Sequence, residues 1–359
     1  MLENSLTMSI PESSRFVAII DGKSTSLFIL SNKNGMQAAI TNYGGRLVSL
    51  LVPDANGETT DIVVGFDNIT DYQHAIERYF GAIIGRYANR IGFGRFILNE
   101  TEYNLPLNLH PHNLHGGFSG FQDKVWDVEE STDQHLKLHY FSPHLEGGFP
   151  GNLHVWVTYI LNDDNELEIM ANAECDMDTI FDVTYHPFFN LNGQGNGNIL
   201  KHQLTINADS FLAIDENQLP TGALLPVENT PFDFRTAHTI GAQIHQQSEQ
   251  LKWCGGGYDH YYVLRDDASH SLKFAASVIG DLSGIEMKVY TTAPGLQFCS
   301  GQYLNGQHTI KGNCRDEQYG SFCLEPHRFL DAPNHPEFPT TILRSGEVYA
   351  TTTIFSFRK

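Results

Sequence analysis

Basic residues are scarce. The chain carries 22 Lys and Arg against 42 Asp and Glu in 359 residues, a formal net charge of −20. Nucleic acid and anionic membrane surfaces are bound through Lys/Arg patches, so neither is an expected partner. The same balance runs against a strongly anionic substrate. Cysteine is thin as well: Cys175, Cys254, Cys299, Cys314 and Cys323 are odd in number and form no Cys-x-x-Cys. They read as reduced thiols, not as a disulfide framework or a zinc site. No stretch approaches the roughly 18 apolar residues of a membrane span. Residues 1–14 show no basic start followed by an apolar run, so no signal peptide is expected. These absences point to a cytoplasmic protein acting on a neutral small molecule.

What is present is core-forming material. Hydrophobic residues make up 41% of the chain and charged residues only 18%, which excludes a disordered polymer. Period-2 alternation recurs along the chain. Leu153, Val155, Val157, Tyr159 and Leu161 alternate with polar or bulky partners, and Leu167, Ile169, Ala171 and Ala173 follow after a polar turn at 162–166, which predicts a hairpin. Leu272, Phe274, Ala276 and Val278 repeat the pattern, as do Ile285, Met287 and Val289, and 348–357 reads as a last strand. Turn pairs such as Asn34-Gly35, Asn192-Gly193 and Asn305-Gly306 break the chain at intervals. Helix candidates are few. The best is 236–251, with Ile240, Ile244 and Leu251 roughly on one face. There is no fixed repeat, linker or low-complexity tract. The expectation is an all-β protein, one large antiparallel β-sandwich over 16–359 with a loosely held tail at 1–15.

Five loop-like segments carry the polar residues that need explaining. Residues 85–92 hold Arg86, Asn89 and Arg90 between apolar flanks; on pattern alone this is a turn with a surface arginine. Residues 110–117 hold His110, His112 and His115. Imidazoles at short spacing can share a cation, but Pro111 and two glycines deny the segment a fixed helical face and no acid lies among them. His115 therefore reads as a hydrogen-bonding group, and His110 and His112 as structural or exposed. His186 lies among aromatic residues with Asn190 nearby, a setting usual for a core histidine unless a carboxylate faces it. Three glycines precede Asp259, which suits a ligand-approached loop but repels phosphate. Glu325 ends an apolar run, and burial would raise its pKa towards that of a base working near neutral pH.

Taken in order, these segments resemble the aldose 1-epimerase family, the galactose mutarotases. The likeness rests on residues 41–51, Asn89-Arg90, residues 114–117, Val125-Trp126, residues 148–153, the segment through His186 to Leu191, residues 204–235, residues 258–260, Gln297 with its flanking Leu296, and residues 324–326. The resemblance implies a galactose mutarotase-like supersandwich with few short helices, and ring-opening interconversion of sugar anomers without cofactor or metal. By position, Glu325 resembles the general base and His186 the general acid. Asn89, Arg90, His115, Asp259 and Gln297 match sugar-contacting positions. The implied partner is a neutral monosaccharide, and the chain is expected as a monomer or homodimer. The family pattern usually has Asn where Tyr185 stands, a polar residue and Tyr in place of Pro187 and Phe188, and often Gln or a similar residue near His327. Rival readings are a hexose-6-phosphate 1-epimerase drawing on Arg46, Arg86 and Arg90, a non-catalytic sugar-binding protein, and a glycoside hydrolase using Asp259 and Glu325 as its carboxylate pair.

Overall fold

The computed structural model describes residues 9–53, 58–265 and 271–358. Every strand pairing among them is antiparallel, and three sheets carry the fold. The largest has nine strands in the spatial order Asp127–Ser131, His135–Ser142, Leu153–Leu161, Glu166–Cys175, Val348–Arg358, Glu286–Thr291, Lys273–Ile279, Gln203–Ile206 and His238–Thr239. The predicted hairpin is its backbone: Leu153 pairs with Cys175 and Leu161 with Leu167. The C-terminal strand fills the centre of the sheet, bonded to Glu166–Cys175 on one side and Glu286–Thr291 on the other.

Alternation decides which face is buried. Val155, Val157, Tyr159, Ile169, Ala171, Met287, Val289 and Phe355 share one core with Ala38, Ile40, Leu50 and Val52 of a four-stranded sheet and with Tyr262, Leu296, Phe298 and Leu324 of a five-stranded sheet. The smaller sheets thus lie across the large one, as a layered all-β architecture requires. The sequence pattern fails locally at one strand. A bulge between Phe274 and Ala276 resets the phase, so Leu272 is 47% exposed while Ala276 and Val278 are buried. One extra residue moves the side chains before it to the other face.

The expected helix at 236–251 does not form as one element. Its span divides into a strand at His238–Thr239, a 3-10 turn at Ile240–Ala242 and the start of a short helix at Glu249–Trp253. Ile240, Ile244 and Leu251 are all buried, so the apolar spacing did mark a core face. The backbone donors, however, go elsewhere: Ile240 N–H to His202 O (3.0 Å) and Gly241 N–H to Leu200 O (2.7 Å). At the N-terminus, residues 1–8 of the expected tail lie outside the described residues. Ile10 packs against a second apolar cluster, and Ser13–Phe16 forms a 3-10 turn that buries the Phe16 ring, with Thr25 Oγ1 donating to Phe16 O (2.7 Å). Among the described residues no helix is long and apolar enough to cross a membrane.

Candidate active site

The five-stranded sheet delivers three of the seven expected site residues. Its order is Pro220–Pro226, Ala208–Ile214, Asp259–Leu264, Gly295–Cys299 and Cys323–His327. Gln297 lies directly opposite Glu325, and Asp259 opposite Cys299 two residues along, so all three carboxyl and amide groups project from one face. Gln297 Nε2 donates to Asp259 Oδ1 (2.6 Å). Glu325 sits on the edge strand, where the following Pro326 is tolerated because its missing N–H costs no ladder bond.

His186 reaches the same place from a separate short strand, Thr184–His186, which pairs with Ala82–Ile84. Two contacts clamp that segment against the edge strand. Thr184 Oγ1 donates to Pro326 O (2.8 Å), and Phe189 and Phe322 exchange backbone bonds of 2.8 Å. His186 and Glu325 lie between these clamps, with Nε2 and Oε1 3.4 Å apart. Tyr185, one residue earlier in the strand, faces the other way and packs on Tyr159 in the core. The departure at Tyr185 is therefore a matter of core packing, whereas Phe188 lines the pocket and stacks on His186 at 4.9 Å.

Asn89 and His115 are both left-handed non-glycine residues, at φ 65° and 54°. Such backbone is unfavourable for residues with a Cβ and persists where surroundings over-determine it. Here the two residues lock each other. His115 N–H donates to Asn89 O (3.1 Å), and Asn89 N–H donates to His115 Nδ1 (3.1 Å). Nδ1 of His115 is thus an acceptor, and the ring proton sits on Nε2, available as a donor. Arg90 is bonded to Asn89 Oδ1 (3.4 Å) and to Gln218 Oε1.

All seven expected residues line one cavity of about 330 Å³. That lies at the small end of ligand pockets. The reading of 85–92 as a turn with a surface arginine is overturned, since Arg86 and Arg90 are both buried. Only Arg90 enters the cavity. Arg86 is turned away to the carbonyls of Pro150 and Gly151 (2.6 Å each), and Arg46 donates to Phe80 O, Arg78 O and Gln122 O (2.8 Å each). A guanidinium satisfied by inward-facing carbonyls is a structural clamp. His112 is buried, with Nδ1 accepting from Phe93 N–H, and His110 is exposed.

Four other lining groups, Glu77, Tyr79, Gln218 and Tyr303, lie in no segment whose residue pattern marks a site. Helix Ile69–His74, capped by Asn68 accepting from Asp71 N–H, leads into the segment that carries Glu77 and Tyr79. Glu77 accepts from Tyr79 N–H (3.0 Å), and burial raises its carboxyl to about 7. Gln218 donates to Trp253 O and Tyr303 OH, which holds its carbonyl towards Arg90.

Burial governs the electrostatics. It raises Glu325 well above 4.5 and lowers His186 to about 3 and His115 well below 6.5. The neighbouring acids Asp259 and Glu77 push Glu325 further in the same direction. Burial thus penalises the charged form of each member of the His186–Glu325 pair, and their opposite charges at 3.4 Å would offset part of that penalty when both are ionised. His115, His186 and Glu325 also bring three potential ligand atoms within 4.8 Å of one another. A metal at His115 Nε2 would drive the ring proton onto Nδ1, facing the Asn89 N–H, so this donor set fits a cation poorly.

Comparison with known proteins gives this geometry its context. A sequence profile of the family described as Aldose 1-epimerase matches residues 26–356. Galactose mutarotase from Rattus norvegicus is 41% identical over 320 residues, covering 89% of this chain and 90% of the rat protein. Aldose 1-epimerase from Escherichia coli K12 is 34% identical over 339 residues, covering 94% and 96%. Among solved structures, an aldose epimerase homologue from C. elegans superposes with a TM-score of 0.86 at 27% identity, covering 93% of this chain and 99% of the other. Galactose 1-epimerase from Lactobacillus acidophilus gives 0.81 at 26% identity, covering 94% and 96%. With the layered all-β fold in place and relatives of this identity covering about nine-tenths of its length, the chain belongs to the aldose 1-epimerase family and is an isomerase.

Proposed function

We propose that this cavity interconverts the α and β anomers of a free aldose such as galactose or glucose, with Glu325 as general base and His186 as general acid. The observation that carries the assignment is the 3.4 Å approach of His186 Nε2 to Glu325 Oε1 in the wall of this pocket. In the working form Glu325 is ionised and His186 carries the proton. The Glu325 carboxylate takes the proton of the C1 hydroxyl, C1=O forms, the C1–O5 bond breaks, and His186 delivers its proton to O5. Rotation about C1–C2 presents the other face of the aldehyde. On reclosure O5 returns its proton to His186 as it attacks C1, and Glu325 protonates the new anomeric oxygen. Atoms and charges balance within the pair. Each such acid or base typically contributes about 10²–10⁴ in rate.

The remaining groups hold the sugar. Arg90 and the Nε2–H of His115 donate to hydroxyl oxygens, while the free lone pairs of Asp259 and the unpartnered Oε1 of Gln297 accept from hydroxyl protons. Three carboxyl groups, Glu77, Asp259 and Glu325, line the cavity against a single guanidinium, Arg90. With Arg46 and Arg86 committed to carbonyls, a phosphate dianion has no cluster to meet it. The reading is of a cytoplasmic enzyme working on neutral sugars. Polarimetry of freshly dissolved α-galactose and α-glucose, beside enzyme-dependent anomer exchange of glucose 6-phosphate followed by NMR, tests it. The free sugars should equilibrate faster with enzyme; a larger acceleration of the phosphorylated sugar would overturn the reading.

A further inference from the structure

We propose that Tyr79 is a positioning residue for His186, presenting a π face that fixes the imidazole ring and supports its charged form. The proposal rests on the assignment of His186 as the general acid. The Tyr79 ring stacks on His186 at 5.8 Å and 26°, and meets His115 edge-on at 4.6 Å and 66°. It is thus in contact with both histidines of the cavity, which themselves meet edge-on at 5.5 Å. Phe188 gives His186 a second stacked ring at 4.9 Å and 27°.

Tyr79 is itself held from behind. The buried Arg46 donates to the carbonyls of Arg78 and Phe80, the residues on either side of it, and Glu77 accepts from its backbone N–H. Asn108 Nδ2 reaches the phenol oxygen only at 3.5 Å. The backbone is therefore fixed by strong bonds and the hydroxyl is held weakly, so the ring face is what the site uses.

This answers a difficulty in the mechanism. Burial works against the imidazolium of His186, yet the reaction needs that form. The groups facing the ring are Glu325 at 3.4 Å, neutral His115 and the two aromatic faces, and His327 and Arg46 both disfavour its charged form. A desolvated cation over an aromatic face is stabilised by the ring quadrupole without any proton of its own being spent.

The experiment compares Tyr79→Leu, Tyr79→Phe and His186→Ala in the full chain, with Tyr79→Met as a second aliphatic variant in case Tyr79→Leu does not fold. The aliphatic variants are expected to lose about tenfold in kcat, the size of a desolvated cation–π contact, with KM within about threefold of wild type. Tyr79→Phe is expected to restore kcat to within about twofold. A ¹⁵N titration of His186 should show its protonation moved to lower pH by about one unit in the aliphatic variant and not in Tyr79→Phe. Wild-type kcat in the aliphatic variant, or equal impairment in Tyr79→Phe, overturns the proposal. His186→Ala separates the two layers. If it retains the wild-type rate, the acid assignment fails and Tyr79 loses its role with it; if it is inactive while the aliphatic variant is unimpaired, only the Tyr79 proposal falls.

Discussion

Replacing Glu325 by Gln should make the protein more stable and nearly inactive. Glu325 is 2% exposed, its Oε2 has no hydrogen-bond partner among the described residues, and burial disfavours the charged form of His186, 3.4 Å away. A buried charged group left short of partners costs at least about 1–3 kcal/mol. Gln keeps the shape and removes the charge, although its amide also lacks partners, so the net gain is about 1–2 kcal/mol. For a chain of this size that corresponds to a rise of about 1–3 °C in Tm. The gain has a pH signature. Because the folded-state pKa is raised above 4.5, the folded protein binds more protons than the unfolded chain between 4.5 and that raised value. Wild-type stability therefore falls as pH rises through this window, whereas below 4.5 both states are protonated and the penalty vanishes. The advantage of Glu325→Gln should be small at pH 4.5 and larger at pH 8. Thermal melts at the two pH values, together with polarimetry, measure both effects, and kcat should fall by about 10²–10⁴. A drop in Tm of several degrees at both pH values would refute the reasoning, since it would make the carboxylate a structural group.

Two further substitutions probe the scaffold. Gly116 has φ +80°, and a Cβ there would lie 2.1 Å from Gly85 O and 2.6 Å from Arg86 N; Gly116→Ala should therefore displace His115 and Asn89, raising KM at least about tenfold or preventing folding, as steady-state kinetics and circular dichroism will show. Lys311 is buried with Nζ bonded to Ser49 Oγ and Val63 O and paired with Asp61 at 2.9 Å; Lys311→Met should cost about 3–5 kcal/mol in urea unfolding by stranding the Asp61 carboxylate, while kcat per folded molecule stays at the wild-type value.

The long strands were legible in the sequence because one face of each is buried and the other is not, as in Leu153–Leu161 and Glu166–Cys175. The bulge at Phe274 and the broken segment after Thr236 were not, because both depend on where distant backbone groups find partners. For the site, His186 and Glu325 were recognised through their order in a family pattern, and no local rule shows that residues 139 apart meet. Arg46 and Arg86 show the opposite limit. A sequence records a cation but not the carbonyls that occupy it. Glu77, Tyr79 and Gln218 carry no local motif at all; they reach the cavity only because a capped helix and a turn with Gln218 at φ 62° bring them there.

The central claim is that His186 and Glu325 act as one acid–base unit. Polarimetry of freshly dissolved α-galactose with wild type, His186→Ala, Glu325→Ala and the double variant tests it most directly. The account predicts that each single variant loses about 10²–10⁴ in kcat and that the double variant loses little more, because either loss disables the same proton relay. Wild-type rates in both single variants would contradict it.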